Sequence, residues 1–469
     1  MFQSFLQTDE RPTAVVAAVQ LPGTSDGELE SSLTELERLA RTLGLDPIGR
    51  VTQRRAKLAP GVVFGEGKLV ELAGWTGGDG KIPTYSKPGS KRDEDDEDDE
   101  VEADDPDEHD GETSESKASA RAKVVHVDHD LSPTQQLNLE RATGVDVLDR
   151  TSVILEIFHR HAKTREARLQ VEVARLKYLA PRLRANSGGG DRVRGGIGGK
   201  GAGESSLELD RRRIRDRIAE LRNELSQIEG GSKTRRERRS ELPTVALVGY
   251  TNAGKSSLMR ALTSTEVYVA DKLFATLDTT VRRLAPAAEP DILVSDTVGF
   301  IKKLPHDLVA SFRSTLEEAA GADLLLHVVD AADAALADHV AVTTEVLREI
   351  GADTVPTWLL LNKIDRVDEE GRSRLIDRHP GALQLSAKDR TDVASLREHL
   401  IAHFGGAMEE TELVVPWDAQ RMVNQIHLRT SVLAEKHDEV GTRLRVRAPT
   451  KILDDLRKQL TPGSLEDAR

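Results

Sequence analysis

The chain has 469 residues, enough for roughly two to four domains with separate cores. It has no cysteine, which excludes disulfides and thiolate metal sites, and no apolar run near the ~18 residues that a membrane span needs. The net charge of −14 is local: Asp93–Glu112 holds 15 acidic residues and neither Lys nor Arg, leaving the rest near neutral.

The first residues lack a basic stretch followed by an apolar core, and the last ones, SLEDAR, carry no lipidation cysteine, so a cytoplasmic location without membrane attachment is expected. TAVVAAVQL (13–21) reads as a strand, Glu28–Leu43 as a leucine-spaced helix, DPIGRVTQ as a strand, and GEGKLVELAGW as a helix. KVVHVDHDLS then reads as a strand and turn, and PTQQLNLERA as a helix. Together they predict a small α/β domain over 1–150. A surface insertion at about 76–121, expected to be disordered, carries the acidic block.

Residues 151–235 predict a helical hairpin. Its first arm, Ser152 to about Leu183, carries an apolar stripe of Leu155, Phe158, Ala162, Leu169, Val173, Leu176 and Leu179. Its second arm, Ser205–Ile228, aligns Leu209, Ile214, Ile218, Leu221 and Leu225. A glycine-rich tip joins the arms, and cations surround it: Arg182, Arg184, Arg192, Arg194, Lys200, Arg211, Arg212, Arg213 and Arg215. From the residues alone this is either a solvated linker or a surface for nucleic acid.

Residues 236–407 alternate apolar strands with amphipathic helices, which predicts a doubly wound parallel sheet. Residues 408–469 predict a small C-terminal α/β domain, with a strand at ELVVPW, a helix from Ala419 to His437 and a strand at TRLRVRAP.

Two glycine-rich stretches compete to hold phosphate. The hairpin tip fails, because Arg194 stands where the pattern G-x-x-x-x-G-K-[ST] needs glycine and Gly201 where it needs a hydroxyl. VALVGYTNAGKSSL fits at every point. A buried strand leads into Gly249, Tyr250, Thr251, Asn252, Ala253, Gly254, Lys255, Ser256 and Ser257, and a helix follows whose N-terminus favours an anion. Lys255 is placed to reach the terminal phosphates, and Ser256 to hold Mg²⁺. Asn252 is open to two readings, a ligand to a monovalent cation such as K⁺ or a brace for the loop.

The base follows from Asn362-Lys363-Ile364-Asp365, where a carboxylate can accept from two guanine N–H groups that adenine lacks. Ser386, Ala387 and Lys388 then offer a backbone N–H to guanine O6. Asp296, Thr297, Val298 and Gly299 close the phosphate end, with Asp296 reaching Mg²⁺ through water and the Gly299 N–H reaching the γ-phosphate. Between them, Phe274, Ala275, Thr276 and Leu277 open a first switch, in which Thr280, with Thr279 as runner-up, completes the metal shell. Lys255, Thr280 and Gly299 are the candidate catalytic residues. Phe300 stands where Ras-like enzymes carry a water-orienting glutamine, so slow intrinsic hydrolysis is expected. GEGK at Gly65–Lys68, a second phosphate-like loop at a helix start, is read as a structural turn, with a second nucleotide site as the alternative.

The chain resembles the HflX family of ribosome-associated GTPases. The resemblance rests on FGEGKLVEL, DHDLSPTQQLNLE, VLDRTSVILEIFHRHAKTREARLQVEVARLKYLAPRL, and LFATLDTTVRR through DTVGFIKKLPHDLVASFRSTLEE. It implies a phosphate-loop GTPase domain, an N-terminal α/β domain, a hairpin and a small C-terminal domain. It also implies a chain that binds the large ribosomal subunit through the basic hairpin 182–215, hydrolyses GTP there, and splits or rescues stalled ribosomes under stress; a monomer is expected because the apolar stripes of the two arms can satisfy each other within one hairpin. The alternative is an RNA-binding scaffold in which GTP is a structural switch with little turnover. The sequence departs from the family pattern at Gly201–Glu208, where GPGETQLE is usual, at Asp278–Val281, and in the acidic insertion.

Overall fold

The computed structural model describes residues 11–58, 61–82, 121–186, 206–239, 242–263, 273–274, 280–287, 290–302, 318–406 and 408–460. The acidic block, the glycine-rich tip and Ala275–Thr279 lie outside them. The chain divides into two compact units, 1–156 with 178–207, and 157–177 with 208–469.

The first unit is built on a parallel sheet ordered β2-β1-β3-β4: β1 (Thr13–Gln20), β2 (Asp46–Arg54), β3 (Val124–Val127) and β4 (Asp146–Asp149). The central strand β1 buries Ala14 through Val19 on both faces, which is why it reads as an unbroken apolar run rather than an alternation. Helix α1 (Asp26–Leu43) is closed at its start by a capping box between Ser25 and Glu28 and at its end by Gly44. Its Leu33 and Leu36 pack on Val16 and Ala18. Helices α2 (Glu66–Thr76) and α3 (Pro133–Thr143) supply Leu69, Leu72 and Leu139 to the opposite cluster around Val15 and Ala17. Gly65 caps α2 as a plain turn, its N–H donating to Gln53 Oε1 at 2.8 Å.

The first arm of the hairpin is two helices, α4 (Arg150–His161) and α5 (Arg165–Asn186), not one. The break is local chemistry: the Thr164 hydroxyl accepts from Ala167 N–H and starts a new helix. Helix α6 (Ser206–Arg239) runs past its expected end. Leu169 and Val173 of α5 meet Leu221 of α6, with Leu176, Ile218, Leu225 and Ile228 around them.

In the second unit a six-stranded sheet runs β10-β9-β8-β5-β7-β6. Its strands are β5 (Thr244–Val248), β6 (Thr280–Arg283), β7 (Leu293–Asp296), β8 (Leu324–Asp330), β9 (Thr357–Asn362) and β10 (Leu383–Gln384), parallel except for β6. Helix α7 (Lys255–Thr263) and helix α10 (Arg390–Gly406) bury Leu258, Leu262, Leu396 and Leu400 in one core cluster. On the cluster that holds Ala246, helix α8 (Leu336–Glu349) adds Val346 and Leu347. Helix α9 (Glu369–Arg378) lies between β9 and β10 in the chain. Strand β5 has β8 on one side and β7 on the other, so the loop leaving its carboxyl end opens where strand order reverses, the usual ligand crevice of such sheets.

The C-terminal segment differs from expectation. The helix expected over 419–437 stops as α11 (Arg421–Arg429), and Ser431–His437 is strand β12. Thr430 adopts an extended conformation, and Val432 pairs with Val446 of β13 (Gly441–Pro449). With β11 (Met408–Pro416) they form an antiparallel sheet ordered β11-β13-β12. Helix α12 (Thr450–Leu460) adds Leu453 and Leu456 to its core.

Candidate functional site

The loop after β5 is shaped by two glycines at which any side chain would be strained and crowded. Gly249 has φ +141°, and a Cβ there would come 2.2 Å from Val328 O. Gly254 has φ +97°, and a Cβ there would meet Asn362 Nδ2 at 2.2 Å. Asn252 between them also takes a left-handed conformation, φ 59°, which asparagine tolerates. Tyr250 and Ala253 are buried, whereas Ser257 is half-buried.

Lys255 begins α7 and is buried. Its ammonium donates to Gly249 O at 3.0 Å and Tyr250 O at 2.9 Å. Burial pushes its pKa down to about 8, with the Asp296 charge opposing. Ser256 Oγ donates to Asp296 Oδ2 at 2.7 Å. Thr280 opens β6 directly opposite Asp296 in the β6–β7 ladder. Ser256, Asp296 and Thr280 therefore offer a hydroxyl, a fully buried carboxylate and a second hydroxyl from adjacent backbone, a hard-oxygen set that fits Mg²⁺.

Thr297 is tied down by its hydroxyl donating to Leu247 O at 2.7 Å, and Val298 is buried beside it. Gly299 lies so close to the loop that a Cβ would sit 2.9 Å from Thr251 Cα and 3.1 Å from Lys255 Nζ. Two backbone bonds fix this approach, Thr251 N–H to Phe300 O at 2.8 Å and Phe300 N–H to Gly249 O at 3.1 Å. Phe300 points away, 1% exposed, into the core formed by Val248, Leu325 and Leu347.

The base end is built on β9. Asn362 donates from Nδ2 to Ala253 O at 2.8 Å and accepts at Oδ1 from Ala387 N–H at 3.0 Å, so one amide joins three loops. Lys363, at φ 62°, donates to Asn252 O at 2.6 Å and to Asp330 Oδ2 at 2.7 Å. Asp365 Oδ1 accepts from Ser386 Oγ at 2.6 Å, a bond that holds its carboxyl below the usual carboxylate range. Lys388 N–H reaches Ser386 Oγ at 3.4 Å. A cavity of about 460 Å³ opens here, lined by Asp365, Ser386, Lys388 and Arg372 among others.

Some members of the site have no motif to announce them. Asp330 anchors Lys363, and Asp392 accepts from Ser386 N–H at 2.7 Å. His327 lies buried near Lys255, its pKa pushed down to about 4 by burial and by the lysine charge. Phe274 was expected at the nucleotide. The structure places it at φ 56°, 2% exposed, edge-on to Phe158 of α4 with ring centroids 4.6 Å apart.

Arg182 is a correction. Expected among the cations facing RNA, it turns inward. Its guanidinium lies 3.4 Å over the Tyr178 ring and donates to Asp149 Oδ2 at 3.0 Å, Leu131 O at 2.7 Å and Gln136 Oε1 at 3.1 Å. Arg211, Arg212, Arg213 and Arg215 remain along α6.

Three family models match the chain: a GTP-binding GTPase N-terminal region over 30–79 and 110–159, a GTP-binding GTPase middle region over 161–239, and a 50S ribosome-binding GTPase over 244–363. Relatives called GTPase HflX are similar over nearly their full length. That of Gluconacetobacter diazotrophicus is 54% identical over 96% of this chain and 98% of its own. Those of Caldanaerobacter subterraneus, 36% identical over 96% and 94%, and Escherichia coli, 37% identical over 91% of each, follow.

Proposed function

The chain belongs to the HflX family of GTPases, and from that premise we propose that this GTP hydrolase works on the large ribosomal subunit, where it splits or rescues stalled ribosomes under stress. The nucleotide reading is carried by Asn362, whose amide joins the phosphate loop at Ala253 to the base loop at Ala387. Asp365 and the Ser386–Lys388 backbone would read guanine, and Lys255 and the Gly299 N–H would meet the γ-phosphate. Ser256, Asp296 and Thr280 would hold Mg²⁺, which when bound neutralises charge on the phosphates. Asn252 is exposed at the loop tip and is the candidate contact for K⁺.

The ribosome reading draws on the 50S ribosome-binding description of the matching domain and on the arginines of α6. The protein would act as a cytoplasmic monomer; among the described residues no helix is long and apolar enough to cross a membrane. The test is GTP turnover with and without purified large subunits at one stated salt concentration, beside a variant with Arg211, Arg212 and Arg213 changed to Ala. Stimulation in the parent that is lost in the variant supports the reading. A parent whose turnover ignores the subunits removes the ribosome from it.

A further inference from the structure

Hydrolysis needs a group that holds the attacking water, and Phe300 is committed to the core. The hydroxyl groups of the phosphate loop are candidates for that task among the described residues. Ser256 Oγ is taken by Asp296, and the Tyr250 hydroxyl accepts from Lys302 N–H at 2.7 Å. Thr251 is different. The residue is 7% exposed, and its Oγ1 makes no hydrogen bond among the described residues. A buried hydroxyl is rarely left so, and one set in a loop shaped for phosphate points to a ligand.

Its place is fixed by backbone. The paired bonds between Thr251, Phe300 and Gly249 press the Thr251 side chain against Gly299, where a Cβ would lie 2.9 Å from Thr251 Cγ2 and 3.1 Å from Lys255 Nζ. Thr251 thus packs its methyl Cγ2 against Gly299, on the side that Lys255 Nζ also approaches, with its unpartnered hydroxyl on the same Cβ. We propose that Thr251 is a catalytic residue whose hydroxyl accepts a hydrogen bond from the attacking water and donates one to a γ-phosphate oxygen. The inference rests on this loop being the GTP site.

One hydroxyl can donate and accept at once, so it can aim a water lone pair at phosphorus without acting as a base. The water oxygen forms a bond to the γ-phosphorus while the bond from that phosphorus to the β–γ bridging oxygen breaks. The bridging oxygen leaves with its electron pair as GDP, and one water proton passes to a γ-phosphate oxygen, giving inorganic phosphate. Thr251 is unchanged at the end. This assigns to the phosphate loop the task that Ras-like enzymes give to the residue after D-x-x-G.

The test compares Thr251→Val, which keeps the branched shape and removes the hydroxyl, with Thr251→Ser, which keeps the hydroxyl. Single-turnover GTP hydrolysis is measured with the affinities for a fluorescent GTP analogue and for GDP with aluminium fluoride. The valine variant is expected to hydrolyse at least about tenfold more slowly, with analogue affinity within about twofold and weaker aluminium fluoride binding, while serine stays within about threefold. Parent-like hydrolysis in the valine variant overturns the proposal. So does a serine variant as slow as valine, or a rate loss matched by an equal loss of analogue affinity. A parent that binds no analogue would sink the GTP site itself, a separate result.

Discussion

Replacing Phe300 by glutamine is expected to destabilise the protein and leave turnover no faster. The ring fills a core among Val248, Leu325 and Leu347, and an amide there has no partner, so the cost should reach about 3 kcal/mol. Thermal melting beside a GTPase assay checks both halves. Lys255 makes a second prediction. Its folded pKa, about 8, lies below its ordinary 10.5, so between those values the unfolded chain binds the extra proton and nucleotide-free stability rises with pH. Phosphate restores the charged form, so GTP binding takes up a proton, and affinity should fall by up to about tenfold per pH unit above pH 8. Titrations from pH 7 to 9 with a fluorescent analogue would show it, and a flat profile would mean that Lys255 does not meet the phosphates. Spacing made the loop legible, because a tight phosphate cradle permits few residue types at Gly249, Gly254 and Lys255. Asp330, Asp392 and the inward turn of Phe300 were not legible, since each depends on a partner distant in sequence or on which way a side chain packs.

At the scale of elements, one carboxylate fastens α5 to the first unit. Asp149, fully buried at the end of β4, accepts from Leu131 N–H, Ser152 N–H, Tyr178 Oη and Arg182 Nη2. Burial, and then the Asp149 charge, hold the Tyr178 phenol well above its usual pKa, so it stays a donor. Asp149→Ala removes the acceptor that these donors share and should cost about 3–5 kcal/mol, with faster amide exchange over 178–186. Melting and exchange mass spectrometry test it. Periodicity found both arms of the hairpin, because leucines recur at helical spacing. It could not find the break at Thr164, which is a capping event, nor the strand Ser431–His437, whose pairing with β13 overrides a helix-like run.

On the scale of the whole molecule, the boundary between units falls inside α4 and α5 rather than in a linker. Composition could mark the acidic block and the glycine-rich tip, yet it gave no sign that the hairpin's first arm is shared. The end of that arm is held to the first unit by the bonds of Tyr178 and Arg182 to Asp149, contacts that leave no compositional trace. Phe158 and Phe274 carry a consequence of this. Phe274 sits strained and buried at the start of the proposed first switch, touching α4, the helix that leads out of the N-terminal strands. A contact has no direction. Whatever factor nucleotide imposes on α4 through that ring pair, a partner gripping α4 imposes equally on nucleotide affinity. Phe158→Ala should therefore change GDP affinity from outside the pocket, and uncouple α4 exchange rates from nucleotide in the same measure. The helix is then less a spacer than a shared ledger, on which both ends must record the same free energy.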